Sequence, residues 1–135
     1  MQRRQLALVA LGGAVGAFLR FELLEAWVVT RGDFPASTLA INLTGALLLG
    51  VLVEVVAGAA DRTWLRPLLG IGLLGALTTF GGFAVETVLM VDAGNVGGAA
   101  AYVTLTLIGG ALAATAGLFV AGWRGGAPVP DEGES

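Results

Sequence analysis

Residues 75–83, GALTTFGGF, decide the fold of this chain because they interrupt an apolar run long enough to cross a membrane. They place two hydroxyls, two spaced phenylalanines and two adjacent glycines where a lipid-spanning helix would favour leucine and valine. Adjacent glycines loosen the backbone. A helix break at membrane depth is stable only where its released polar groups are buried in protein or line a cavity. Such breaks mark ion or substrate sites in transporters, so the stretch predicts solute passage.

The composition indicates a membrane protein. Of the 135 residues, 56% are hydrophobic and 13% are charged, and the mean hydropathy is +0.87. A soluble domain carries about 25% charged residues. The absence of cysteine, histidine and lysine excludes a disulfide framework, imidazole ligands and an ATP-binding phosphate loop, which needs a lysine. The net charge of −3 arises from a short acidic tail, so no nucleic-acid partner is expected.

Four apolar stretches come close to the ~20 residues that a membrane helix requires. They predict spans at 6–29, 37–57, 68–90 and 98–123, which form one membrane domain over residues 1–124. The connections are short and rich in turn-forming residues, and the tail 125–135 is expected to be disordered. A cleavable signal peptide is the alternative for the first stretch, but three further spans follow it. The predicted fold is an all-α integral membrane protein with four transmembrane helices.

Small residues recur at four-residue spacing, as in Gly12 with Gly16 and Ala113 with Gly117. This pattern lets membrane helices approach closely, although ordinary packing is the alternative for most pairs. Four short helices can hardly surround a pore alone, so self-association is expected.

Three polar side chains within the spans are candidates for function. Arg20 is either an interfacial anchor whose charge reaches the membrane surface or an inward charge with a role. Asn42 needs hydrogen-bond partners in hydrocarbon; it either bonds across helices or offers its amide protons to a passing anion. Glu86 shares a helical face with Phe80 and Phe83, and a carboxylate inside a membrane is functional by default.

The two phenylalanines would ordinarily be core or lipid-facing side chains. Here Phe80 and Phe83 flank the glycine pair and follow two threonines, and an aromatic ring has a positive edge. In the last span, Tyr102 and Thr106 lie one turn apart on one face. Ring edges with hydroxyl and amide donors suit a small anion and hold it less tightly than a fixed positive charge would.

Together with two further motifs, this stretch resembles the Fluc (CrcB) family of fluoride channels. The motifs are GGAVGAFLRF at 12–21, TLAINLTG at 38–45 and GLLGALTTFGGFAVE at 72–86. The resemblance implies a four-helix subunit with a broken third helix, assembled as an antiparallel dimer with two pores. It further implies a structural sodium ion at the dimer centre, held by the backbone carbonyls of Gly75 and Thr78.

The same resemblance assigns the remaining candidates. The fluoride pathway it implies comprises Asn42, Thr79, Phe80, Phe83, Tyr102 and Thr106, with Arg20 and Glu86 in supporting positions. One departure is that glycine stands at 81, 82 and 110, where the family usually has hydroxyls. The expected partner is therefore either a second copy of this chain or a second family member that supplies the missing hydroxyls.

These inferences converge on a passive channel, not an enzyme, that exports fluoride through the cell membrane and lowers fluoride toxicity. With four spans, both termini lie on the same side of the membrane, and five arginines fall on that side: Arg3, Arg4, Arg62, Arg66 and Arg124. The positive-inside rule then predicts both termini in the cytoplasm. One alternative is a small proton-coupled drug antiporter, but residues 6–19 hold no carboxylate. The other is a non-transporting assembly subunit, which would not explain the hydroxylated break.

Overall fold

The computed structural model describes residues 3–57 and 62–125, and its regular elements are helices. They are α1 (Arg3–Ala26), α2 (Ala36–Ala57), α3 (66–77), α4 (Phe80–Asp92) and α5 (Val96–Gly125). Helix α3 consists of a π-helical stretch, Arg66–Leu74, followed by one α-helical turn, Gly75–Leu77. Within this part of the chain, four segments are long and apolar enough to cross a membrane: Arg3–Ala26, Ala36–Ala57, Arg66–Asp92 and Val96–Gly122. The prediction of an all-α protein with four spans is confirmed.

The first helix lies earlier in the chain than the predicted span 6–29. Its described residues run from Arg3 to Ala26, so the helix ends before Val29. Val28, Val29 and Thr30 lie outside the helix. Their side chains are compatible with a membrane, but they are β-branched and therefore disfavour helix. The predicted tail starts at Gly125, which is the last residue of α5; residues 126–135 lie outside the described part.

Glycines bring the helices into backbone contact. α1 packs against α3, and α2 packs along α5. A Cβ atom on Gly12 or Gly16 would collide with the carbonyl oxygen of Leu68 or Leu73. Between α2 and α5, a Cβ atom on Gly117 would collide with the carbonyl oxygen of Leu47. The spacing of Gly12 with Gly16 therefore marks a site of close helix approach, whereas a Cβ atom on Gly13 or Gly110, which have small residues at the same spacing, would meet nothing within 4 Å.

The third span is interrupted between α3 and α4. Thr78 (φ −77°, ψ 154°) and Thr79 (φ −143°, ψ 125°) are both extended. Two apolar clusters flank the interruption. One joins α2 to α3 through Ile41, Leu52, Leu74 and Leu77, and the other joins α4 to α5 through Phe83, Met90, Ala99 and Tyr102. The extended residues thus lie between two packed regions.

Candidate functional site

Asn42 on α2 binds the backbone of the interruption. Its Nδ2 donates to the carbonyl oxygen of Thr79 at 3.1 Å, and its Oδ1 accepts the backbone N–H of Thr79 at 2.9 Å. One amide side chain therefore satisfies both backbone groups of a residue that has left the helix. The structure favours the cross-helix role that the sequence left open for Asn42, and one Nδ2 proton remains outside this pair of bonds.

The threonines of the interruption replace helical hydrogen bonds with side-chain ones. Thr79 caps α4, since its hydroxyl oxygen accepts the N–H of Gly82 at 3.0 Å. In an unbroken helix that N–H would bond the carbonyl of Thr78, and the N–H of Thr79 would bond the carbonyl of Gly75. Because Thr79 and Asn42 take those two N–H groups, the carbonyls of Gly75 and Thr78 are released from the helical pattern.

Arg20 on α1 extends toward the same point. Its Nη1 lies 3.5 Å from the carbonyl oxygen of Thr78, at the long limit of a hydrogen bond. The side chain is partly buried. Of the two roles that the sequence left open, this position favours an inward charge over an interfacial anchor.

Glu86 joins three helices. Its Oε1 accepts the hydroxyl of Thr38 at 2.6 Å, and its Oε2 accepts the hydroxyl of Tyr102 at 2.6 Å. Thr38 and Tyr102 are both fully buried. The carboxyl group thus ties α4 to α2 and α5 and holds the Tyr102 ring in a defined orientation.

A row of aromatic rings connects this carboxyl group to the interruption. The ring centroids of Phe80 and Phe83 are 5.6 Å apart, those of Phe83 and Tyr102 are 5.3 Å apart, and Phe34 packs edge-on against Tyr102 at 5.7 Å. Phe83 is buried, whereas Phe80 is 76% exposed. The row therefore runs from the core to the surface of this single chain.

An open groove of about 320 Å³ lies beside the interruption. It brings together most of the predicted site residues, namely Asn42, Gly75, Thr78, Thr79, Phe80, Phe83 and Thr106. The Thr106 hydroxyl oxygen is buried and has no hydrogen-bond partner in the described part of the chain. A buried hydroxyl without a partner is costly, so this atom indicates a place for a ligand.

Three predicted residues lie outside the groove lining. The Tyr102 ring packs against the Phe83 ring and donates its hydroxyl to Glu86. Arg20 approaches the carbonyl of Thr78 from α1. Sequence reasoning gave no role to Thr38 or Gly45. A Cβ on Gly45 would collide with the Thr78 methyl group. The available signal was spacing, since Thr38 precedes Asn42 by one turn and Gly45 follows it on nearly the same face.

These features define a small multi-pass membrane protein whose third span is interrupted beside a mostly apolar groove that holds a few polar side chains. The chain belongs to the family described as CrcB-like protein, Camphor Resistance (CrcB), whose family model matches residues 7–118.

Relatives in this family are similar over most of their length. A protein of Novosphingobium aromaticivorans named Fluoride-specific ion channel FluC is 43% identical over 117 residues, which cover 84% of this chain and 90% of that protein. Proteins of the same name from a Caulobacter species and from Stutzerimonas stutzeri are 39% identical over 121 residues and 42% identical over 116 residues. The first alignment covers 87% of this chain and 94% of the relative, and the second covers 84% and 93%.

Proposed function

We propose that this protein is a passive, fluoride-selective channel that lets cytoplasmic fluoride leave the cell. The name carried by its relatives supports this function. The observation that carries it furthest is the Thr106 hydroxyl, which is buried without a partner in a groove that also holds Asn42, Phe80 and Phe83. An anion in the groove would give that hydroxyl its missing acceptor.

The donors of the groove are weak and few. They are the hydroxyl protons of Thr106 and Thr79, the second Nδ2 proton of Asn42 and the positive edges of the Phe80 and Phe83 rings. Among the described residues that line the groove, none is charged. A site without fixed positive charge binds an anion loosely enough for it to leave, which conduction requires. Fluoride gains more than chloride from close coordination by such donors because it is smaller.

The direct test is fluoride efflux from liposomes that contain the purified protein, followed with a fluoride electrode, with chloride efflux measured in parallel. We expect rapid fluoride release without a pH gradient and little chloride release. Efflux that requires a proton gradient would indicate an antiporter instead. Absence of fluoride release from a folded protein would indicate an assembly subunit.

A sodium ion at the interruption is part of the same proposal. The released carbonyls of Gly75 and Thr78 are hard oxygen ligands, and they lie at the end of α3, where the helix carries negative partial charge. When bound, the ion would supply positive charge that offsets the cost of burying carbonyls released from the helix, in addition to the long hydrogen bond that Arg20 donates to Thr78. Replacing sodium with a large organic cation should lower the thermal stability of the purified protein. Equal stability in both salts would argue against the ion.

An antiparallel dimer would complete the groove. The groove is open in a single chain, and Phe80 is 76% exposed beside it, so a second subunit is needed to enclose an anion path. Fluoride release by this chain purified alone, with terminal tags accessible from both sides of the membrane, would identify a homodimer. A fixed orientation, with release only after addition of a second family member, would identify a heterodimer.

The glycines that replace hydroxyls provide a second test of the partner. A Cβ atom on Gly81 or Gly110 meets nothing within 4 Å, whereas one on Gly82 would lie 2.8 Å from the Thr79 methyl group. If the chain alone lacks donors, Gly81→Ser and Gly110→Ser should increase fluoride release and Gly82→Ser should not. Unchanged release in both permitted variants would remove these positions from the path.

We place the channel in the cell membrane, with both termini in the cytoplasm for at least one of the two opposite orientations that an antiparallel dimer requires. The arginines on the terminal side support this orientation through the positive-inside rule. Arg20 adds little to the opposite surface because it points toward Thr78. A protease-accessible tag at either terminus, tested in intact and opened cells, measures the orientation directly.

A further inference from the structure

A small cavity lies apart from the groove, where α1 and α3 begin. Its volume is about 130 Å³, and its lining consists of Arg4, Gln5, Leu8, Thr63, Trp64 and Pro67. None of these residues lines the groove beside the interruption. This volume is about four times the ~30 Å³ that one water molecule occupies in the liquid, so the cavity has room for a phosphate group.

The polar side chains of this cavity are all able to donate hydrogen bonds. They are the Arg4 guanidinium, the Gln5 amide, the Thr63 hydroxyl and the Trp64 indole N–H; the arginine and the indole can only donate. None of the described residues that line the cavity is acidic. Arginine and several neutral donors together match an oxyanion with more than one acceptor oxygen.

We propose that this cavity binds the phosphate of an anionic phospholipid headgroup. The cavity lies at the ends of two predicted membrane helices, which places it at the level of the headgroups. Trp64 is 43% exposed, and tryptophan is enriched at that level. Leu8 and Pro67 add an apolar wall, which suits the glycerol and the start of an acyl chain better than it suits a free ion.

The backbone reinforces this preference for an anion. Neither α1 nor α3 has an acidic residue in its first turn, so the positive partial charge at both helix N-termini is not neutralised within the helix. The same oxyanion chemistry is offered by inorganic phosphate. Binding of a phospholipid depends on its acyl chains, whereas binding of inorganic phosphate does not.

Native mass spectrometry of the detergent-solubilised full chain tests the proposal, with phosphatidylglycerol and phosphatidylcholine added at equal concentration. We expect preferential retention of phosphatidylglycerol. Arg4→Gln should lower that retention about tenfold, since it removes a charge-assisted hydrogen bond. Arg3→Gln is the matched control because it makes the same charge change at the preceding residue, outside the cavity. Its effect should be about twofold or less.

Trp64→Phe provides a second variant that keeps an aromatic side chain, smaller than indole, and removes the N–H donor, and it should also reduce retention. Equal losses in Arg3→Gln and Arg4→Gln, or equal retention of the two lipids by the unchanged protein, would overturn the proposal. Complete competition by inorganic phosphate would overturn the lipid as the source. If inorganic phosphate does not displace the retained phosphatidylglycerol, the lipid is supported as the source of the phosphate.

Discussion

The Asn42 side chain and the Thr79 backbone form a reciprocal pair, with Nδ2 donating to the Thr79 carbonyl at 3.1 Å and Oδ1 accepting the Thr79 N–H at 2.9 Å. These two hydrogen bonds stabilise Thr79 in its extended conformation and so maintain the interruption of the third span. The pair also removes the N–H that the Gly75 carbonyl would bond in a continuous helix. The polar groups at the groove are therefore arranged by a residue on a different helix.

Asn42→Leu should destabilise the protein and abolish fluoride release. The substitution leaves the N–H and the carbonyl of Thr79 without partners, at a cost of about 1–3 kcal/mol for each buried group. Thermal unfolding and liposome efflux measure the two effects. Thr44→Val, at an exposed position on the same helix, is the control. Full stability of Asn42→Leu would mean that the pair does not support the interruption.

Phe80→Ile and Phe83→Ile should each lower fluoride release strongly, because both remove a ring edge from the groove. Their effects on stability should differ. Phe83 is 7% exposed, so its replacement should cost about 1 kcal/mol, whereas the exposed Phe80 should be replaceable without loss in the single chain. Phe119→Ile, on an exposed surface of α5, is the control. Normal release from both groove variants would exclude the rings from the mechanism.

Thr106→Val should reduce fluoride release about tenfold without loss of stability. The substitution keeps the shape and removes a hydroxyl that has no partner among the described residues, so the loss falls on the hydrogen bond to the anion. Thr104→Val and Thr115→Val are matched controls on the same helix. Their hydroxyls bond the carbonyls of Ala100 and Ala111. If all three variants behave alike, the Thr106 hydroxyl has no special role.

Thr38→Val and Tyr102→Phe should each lower stability by about 1–3 kcal/mol, because each leaves an oxygen of the partly buried Glu86 carboxyl group without its donor. Both remove a donor at 2.6 Å from that group. Because the two hydroxyls bond the two oxygens of one carboxyl group, the double variant should show a loss that differs from the sum of the single losses. A double-mutant cycle in thermal or chemical unfolding measures this coupling. Strict additivity would show that the two bonds act independently.

Gly12→Ala should destabilise the helix pair formed by α1 and α3, and Gly13→Ala should not. A Cβ on Gly12 would collide with the Leu68 carbonyl oxygen, but one on Gly13 meets nothing within 4 Å. We expect a loss of about 1–3 kcal/mol for the first and a gain of up to about 1 kcal/mol for the second, since alanine favours helix. Reversed signs would contradict the packing described for these helices.

The sequence by itself determined the features that depend on local chemistry. Long apolar runs require membrane helices because the backbone must satisfy its own hydrogen bonds in lipid. Adjacent threonines and glycines within such a run marked the interruption at Thr78 and Thr79. The spacing of Gly12 and Gly16 marked a close helix contact because one turn of helix separates them.

Only the tertiary structure decided which polar groups meet. Asn42 and Thr79 are 37 residues apart and Thr38 and Glu86 are 48 residues apart, and no periodicity within one helix relates residues on different helices. The π-helical stretch Arg66–Leu74 also has no local signature that sequence reasoning detected. The relative depth and rotation of the packed helices decide that Asn42 binds the backbone while Thr106 keeps an unpaired hydroxyl in the groove.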